Sequence, residues 1–125
     1  MARSSDLAGS RVLIVEDELL VAMDLESMLV DEGFDVVEIA CTVAAALDAV
    51  ETHRPDAVML DLNLDGEPTI AVAERLNSHD IPFVVATGFT GKRSLDPSLQ
   101  RAPLVEKPWN QSDLLAKLSA VLRRG

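Results

Sequence analysis

Residues 57–61 read Ala-Val-Met-Leu-Asp, an apolar run that ends in a carboxylate. Three further apolar runs lead into polar residues, namely Glu16-Asp17, Thr87 and, through Glu106, Lys107-Pro108. Short apolar runs of this kind are typical of buried parallel strands. In open α/β sheets the chemistry lies just beyond the carboxyl ends of such strands. The pattern therefore predicts one place at which three carboxylates, a hydroxyl and an ammonium group meet.

Strand and helix patterns alternate five times along the chain. Strands are predicted at residues 12–15, 36–39, 57–60, 83–86 and 104–105. Helices are predicted at about residues 18–32, from Thr42 as cap to before Pro55, from about Pro68 to Ser78, and after Asn110 as cap. Gly33 is expected to end the first helix in a left-handed conformation. Between Gly88 and Pro103, Gly and Pro residues predict only a short or irregular fourth helix. Such alternation indicates a parallel sheet with helices on both faces.

The composition restricts the classes of function. The chain has 125 residues, 48% of them hydrophobic, so we expect one domain with a real core. Its formal charge of −10 argues against binding to nucleic acid or to anionic lipid. The sequence contains no apolar run long enough to span a membrane, and residues 1–10 lack the apolar centre of a signal peptide. The single Cys41 cannot form an internal disulfide, so we expect a reducing cytoplasm. We expect Cys41 to be a plain buried or half-buried thiol.

The polar residues at the strand ends suit phosphoryl transfer. Crowded together, Glu16, Asp17 and Asp61 would resist ionisation, and a hard divalent cation such as Mg²⁺ would relieve the repulsion. An ionised Asp61 can also act as a nucleophile towards phosphorus. Charge on the transferred group needs cations and donors already in place, a role that Lys107 and Thr87 fit.

As a set, these residues resemble those of the response-regulator receiver domains of bacterial two-component signalling. The resemblance covers about residues 11–122 and implies a flavodoxin-like, doubly wound (βα)5 fold with a five-stranded parallel sheet in the order 2-1-3-4-5. It implies that Asp61 accepts a phosphoryl group from a phosphohistidine of a partner kinase. It further implies Mg²⁺ bound by Glu16, Asp17, Asp61 and the backbone carbonyl of Asn63, contacts of Thr87 and Lys107 with the phosphoryl oxygens, and a cis Lys107–Pro108 bond.

The stretch Pro-Phe-Val-Val-Ala-Thr-Gly-Phe at residues 82–89 is similar to the signature of the subgroup nicknamed FAT GUY receivers. Members of that subgroup often act in bacterial stress signalling, alone or attached to other domains. We expect residues 1–125 to form a single receiver domain without an output domain. The chain departs from the family pattern at Leu104, where an aromatic switch residue is usual, and at Asp65, where Pro is common. Phe89 could shield the phosphoryl group or merely pack on the surface.

The first predicted helix carries Leu19, Leu20 and Met23 beyond its core face. These side chains are either covered by neighbouring elements or form a docking patch, and in the family this helix inserts against the helical bundle of the kinase. The expected partner is therefore a sensor histidine kinase or phosphotransfer protein, and the chain itself a monomer or weak homodimer. His53 and His79 lack metal-ligand spacing and are expected at the surface.

Two other functions compete with that of a signalling switch. Aspartyl-phosphate phosphatases with a related sheet also use Mg²⁺ and a strand-end Asp, but they usually need a second Asp two residues later, where this chain has Asn63. An interaction module that is never phosphorylated is the other alternative, and it would not need the full set of polar residues. We therefore expect a regulator rather than an enzyme that turns over an external substrate.

Overall fold

The computed structural model describes residues 7–87, 99, 102–107 and 109–124. Five parallel strands form the central sheet: β1 (Arg11–Val15), β2 (Asp35–Ala40), β3 (Ala57–Asp61), β6 (Phe83–Thr87) and β7 (Leu104–Glu106). Their spatial order is β2-β1-β3-β6-β7, which is the predicted 2-1-3-4-5 when the five strands are counted along the chain. The predicted fold class is thus confirmed. Each strand begins or ends within one residue of the predicted bounds.

Helices cover both faces of the sheet, and the central strands β1, β3 and β6 are accordingly buried. The helices are α1 (Leu19–Asp31), α2 (Val43–His53), α3 (Ile70–Ser78) and α4 (Gln111–Arg124). Alternate residues of β1 face opposite sides: Leu13 and Val15 pack with residues of α2 and α3, whereas Val12 and Ile14 pack with residues of α1 and α4. The central strands β1, β3 and β6 are buried on both faces, so each reads as a nearly continuous apolar run, whereas the edge strand β2 is mostly half-buried.

The predicted helix ends are set by local hydrogen bonds and one glycine. Thr42 Oγ1 accepts a hydrogen bond from Ala45 N at 3.0 Å and caps α2, as predicted. Asn110 Oδ1 accepts one from Asp113 N at 3.0 Å before α4. Gly33 follows α1 with φ of 96°, a left-handed conformation that suits glycine.

The predicted start of the third helix at Pro68 is wrong. Pro68 pairs with Asn63 in a small antiparallel hairpin of β4 (Asn63–Leu64) and β5 (Glu67–Pro68), and α3 begins two residues later. Asp65 and Gly66 between these strands have φ of 51° and 88°. Two-residue hairpin turns with positive φ favour Asp-Gly, so this dipeptide was a signal for the hairpin.

Three further expectations meet different outcomes. Cys41 is exposed, because it lies in the loop between β2 and α2, so the expected buried or half-buried thiol is wrong. His53 and His79 are half-buried and bond to Glu38 and Glu51, at 2.9 and 2.8 Å.

Some expectations lie outside the described residues. They are the role of Phe89, the cis Lys107–Pro108 bond and most of the irregular segment after Gly88. Within the described part of the chain, no helix is long and apolar enough to cross a membrane.

Candidate functional site at the carboxyl edge of the sheet

The four predicted strand ends converge at one edge of the sheet. The parallel registers align Val15 with Leu60, Asp61 with Ala86, and Thr87 with Glu106. Glu16 follows β1, and its N–H still donates to Ala40 O of β2 at 3.0 Å. Glu16, Asp61 and Thr87 are all buried, which is unusual for polar side chains at the end of a strand.

The three carboxylates of Glu16, Asp17 and Asp61 form a compact oxygen cluster. Each offers one oxygen, and the three oxygens lie within 4.8 Å of one another. Glu16 and Asp61 are buried and Asp17 is half-buried. Oxygen ligands at this spacing fit a hard divalent cation, and Mg²⁺ needs only one or two carboxylates because it keeps several waters.

Lys107 supplies the positive charge of this cluster. Its Nζ donates to Glu16 Oε1 at 2.8 Å and to Asp61 Oδ2 at 2.9 Å. Its backbone N–H donates to Thr87 O at 2.8 Å, so the residue is tied to the end of β6 as well. The side chain therefore reaches the acids from a strand end whose position is fixed by the sheet.

Burial and charge act in opposite directions on the ionisable groups. Burial raises the pKa of Glu16, and the hydrogen bonds from Lys107 and from the N–H of Glu18 only partly oppose this effect. Burial acts to lower the pKa of Lys107, but its hydrogen bonds to Glu16 and Asp61 prevail and hold that pKa above its ordinary value. Lys107 is thus a cation at neutral pH. Glu16 lies close to this positive charge and to the Asp61 carboxylate.

The hairpin after β3 brings Asn63 to the cluster. Its N–H donates to Asp61 Oδ1 at 3.3 Å. Its ladder partner is Pro68, and because Thr69 N donates to Leu62 O at 3.2 Å, Asn63 and Pro68 form a non-hydrogen-bonded pair of this ladder. The strand pairing of this hairpin therefore does not use the Asn63 carbonyl, which is the carbonyl expected to bind the cation.

Sequence reasoning missed Thr69, a fully buried residue beside the acid cluster. Its Oγ1 donates to Asp61 O at 2.7 Å and lies 3.1 Å from Leu62 O. The sequence pattern favoured a different role for this residue, because a Thr directly before a helix normally predicts a helix cap.

The three apolar side chains near the start of α1 are exposed to solvent. The exposed fractions are 56% for Leu19, 82% for Leu20 and 50% for Met23, so neighbouring described elements do not cover them. Leu20 also lines a groove between α1 and α4, together with Val21, Met28, Trp109 and Lys107. The apolar surface therefore begins beside the acid cluster.

Comparison with known proteins gives a consistent assignment. Residues 12–119 match the family model described as "Response regulator receiver domain". The transcriptional regulatory protein PdtaR of Mycobacterium tuberculosis is 33% identical over 117 residues, covering 91% of this chain and 57% of PdtaR. The phyllosphere-induced regulator PhyR of Methylorubrum extorquens is 31% identical over 122 residues, covering 95% of this chain and 45% of PhyR.

A solved structure agrees with these sequence relatives. The response regulator PhyR from Brucella abortus superimposes with a TM-score of 0.78 at 36% identity, covering 95% of this chain and 51% of that one. The chain thus spans about half the length of the curated relatives it matches.

Proposed function

Because the chain belongs to the response-regulator receiver family, we propose that it is a phosphorylation switch whose phosphoacceptor is Asp61. The observation that carries this proposal is the contact of Lys107 Nζ with both Glu16 and Asp61 inside the carboxylate cluster. The Lys107 ammonium lies 2.9 Å from the buried Asp61 carboxylate, and it can donate instead to an oxygen of an arriving phosphoryl group.

The proposed reaction is transfer from a phosphohistidine of a sensor kinase or phosphotransfer protein. An Asp61 carboxylate oxygen attacks phosphorus and forms the P–O bond of an acyl phosphate, while the P–N bond breaks and its electron pair returns to the imidazole. In this proposal Lys107 and the Thr87 hydroxyl contact the phosphoryl oxygens. Their positions at the ends of β7 and β6 support that role.

Mg²⁺ is the proposed cofactor, with Glu16, Asp17, Asp61 and the Asn63 carbonyl as its protein ligands. When bound, the ion would offset charge on the phosphoryl oxygens. The compact spacing of the three carboxylates supports this choice. The residues themselves orient Asp61, since Asn63 N and Lys107 Nζ bond to different oxygens of its carboxylate.

We propose that the output is a change in protein–protein contacts rather than turnover of an external substrate. Phosphorylation would shift the population between conformations of the loops that follow β3 and β6.

Receiver domains interact with histidine kinases or phosphotransfer proteins, and the exposed Leu19, Leu20 and Met23 are the proposed docking patch for that partner. The names of the relatives are those of regulators, which supports a regulatory role, and the cytoplasm is the proposed location. A role in stress signalling rests on the likeness to a solved PhyR structure that is described as a stress response regulator, at 32% identity and a TM-score of 0.77.

The proposal is tested by phosphate incorporation from a small acyl phosphate in the presence of Mg²⁺, measured by intact mass. We expect the wild type to gain one phosphoryl group and Asp61→Asn to gain none. Asp65→Asn is the matched control, because it removes the nearby exposed acid of the hairpin and Asn tolerates the positive φ at this position. A folded wild type that gains no mass from this donor or from a phosphohistidine kinase would contradict the proposal. Steady hydrolysis of an external phosphate ester would favour the phosphatase alternative.

A further inference from the structure

Thr69 occupies the cap position of α3 but does not cap it. Within α3, all of which the structure describes, no N–H group donates to the Thr69 side chain. The backbone carbonyl of Thr69 does take part in the helix, since Ala73 N donates to it at 3.0 Å. The Thr69 hydroxyl, which at this position would normally accept a hydrogen bond from the helix, is used in another direction.

That direction is the end of β3. The hydroxyl donates to the carbonyl oxygen of Asp61 at 2.7 Å, and its longer contact is with Leu62 O at 3.1 Å. Thr69 N donates to the same Leu62 carbonyl at 3.2 Å. Thr69 is fully buried, so water does not compete for these bonds. The backbone of Asp61 and Leu62 is thus held from the α3 side by one residue.

The opposite side of the same segment is held by the sheet. Leu62 N donates to Ala86 O of β6 at 3.1 Å. Asn63 N then donates back to the Asp61 carboxylate at 3.3 Å. The orientation of the Asp61 side chain and of the Asn63 carbonyl therefore depends on a backbone that is fixed between β6 and Thr69.

We propose that Thr69 is a positioning residue for Asp61: its buried hydroxyl holds the Asp61–Leu62 backbone so that the carboxylate cluster has the geometry for a divalent cation and for phosphoryl transfer. This inference rests on the proposed function for its second part, phosphoryl transfer, and on the carboxylate cluster alone for its first part, cation binding. Because Thr69 directly precedes α3, the same bond also connects the proposed phosphorylation site to a helix at the surface.

The test compares Thr69→Val, which removes the hydroxyl at nearly constant size, with Thr69→Ser, which keeps it. Mg²⁺ affinity is measured by titration of the fluorescence of Trp109, the single Trp of the chain, which lines the same groove as Lys107. The rate of phosphoryl gain from acetyl phosphate is measured by intact mass at saturating Mg²⁺. The control is Thr42→Val, because Thr42 caps α2 and its hydroxyl bonds to Ala45 N rather than to a residue of the acid cluster.

We expect Thr69→Val to weaken Mg²⁺ binding and to slow phosphoryl gain by about 10- to 100-fold, the range found when outer-shell partners of metal ligands are removed. Thr69→Ser should remain close to wild type, because it restores the donor. Thr42→Val should lower the urea midpoint without changing Mg²⁺ affinity.

Two results would overturn the inference: wild-type Mg²⁺ affinity and rate in a folded Thr69→Val, or an equal loss in Thr42→Val. If Thr69→Val does not fold, Thr69→Ala, which cannot overpack the site, takes its place in the same comparison. Failure of the proposed function is a separate outcome, since the wild type itself would then gain no phosphoryl group while the Mg²⁺ comparison still tests Thr69.

Discussion

At the scale of single residues, Lys107 connects the parts of the site. It contacts Glu16 and Asp61, which precede it by 91 and 46 positions in the chain. Because both acids are buried, the loss of this cation would leave two carboxylates crowded in a site of low polarity, and their mutual repulsion would no longer be offset. Binding of a divalent cation, or of a proton by one of the carboxylates, would relieve that repulsion.

Lys107→Met is therefore expected to destabilise the metal-free protein by at least about 1 to 3 kcal/mol, the cost of leaving a buried polar group without its partner, since charged groups cost more. It should also increase the stabilisation that Mg²⁺ provides, because the ion then binds carboxylates without a competing ammonium. Urea unfolding with and without Mg²⁺ measures both effects. Lys117→Met is the control, since Lys117 bonds to Leu104 O and Asp113, away from the acid cluster. A Mg²⁺ effect in Lys107→Met no larger than in wild type would contradict this prediction.

At the scale of elements, a cluster of charges joins α2 to α3. Glu51 of α2 bonds to His79 Nε2 at 2.8 Å and to Arg75 Nη1 at 2.9 Å, both from the α3 side, and to Arg54 at 3.1 Å. The hydrogen bonds from His79 and Arg75 lower the pKa of Glu51 from 4.5 to about 2. These groups lie at the surface, so solvent and salt weaken the interaction.

This lowered pKa predicts a pH dependence of stability. The folded state binds a proton on Glu51 less readily than the unfolded state, so the contribution is fully present above pH 4.5 and is lost as the pH falls towards 2. Glu51→Gln should therefore reduce the fall in unfolding free energy between pH 5 and pH 2, as measured by denaturant unfolding at a series of pH values in low salt. Glu74→Gln, on the exposed face of α3, should leave the fall unchanged. Equal slopes for wild type and Glu51→Gln would disprove the linkage.

At the scale of the whole molecule, the parallel sheet places the acid cluster and the exposed patch of α1 next to each other. α1 starts two residues after Asp17, and Leu20 and Lys107 line the same groove. A partner that covers the apolar patch would therefore approach the carboxyl edge of the sheet. The proposed docking of a kinase uses this proximity, since the donor phosphohistidine must reach Asp61.

Leu20→Ser is expected to slow phosphotransfer from any histidine kinase that labels the wild type, because it removes apolar area from a docking surface. Phosphoryl gain from acetyl phosphate should stay unchanged, as the 82% exposed side chain does not contribute to the site. Val30→Ser provides the control: Val30 is 52% exposed on the same helix but about 15 Å further along it. Equal phosphotransfer to Leu20→Ser and wild type would exclude Leu20 from the docking surface.

The fold and the convergence of the polar residues could be predicted from local sequence, because the central strands are apolar runs buried on both faces and the polar residues lie at or just beyond strand ends. The Asp65-Gly66 turn was equally local but was overlooked, which placed the start of α3 at Pro68. The exposure of Cys41 could not be predicted from local sequence, because a loop residue is buried or exposed according to which other residues pack over it.

The contacts within the site depend on the tertiary structure. Short apolar runs specified the strands, and the alternation of strand and helix patterns specified the edge at which the polar residues meet, namely Glu16, Asp17, Asp61, Thr87 and Lys107. Such patterns depend only on neighbours along the chain. The use of the Thr69 hydroxyl is different: next to a helix it can cap that helix or donate to a nearby carbonyl. The folded backbone places Asp61 O at 2.7 Å from it, and proximity in space rather than in sequence selects the bond.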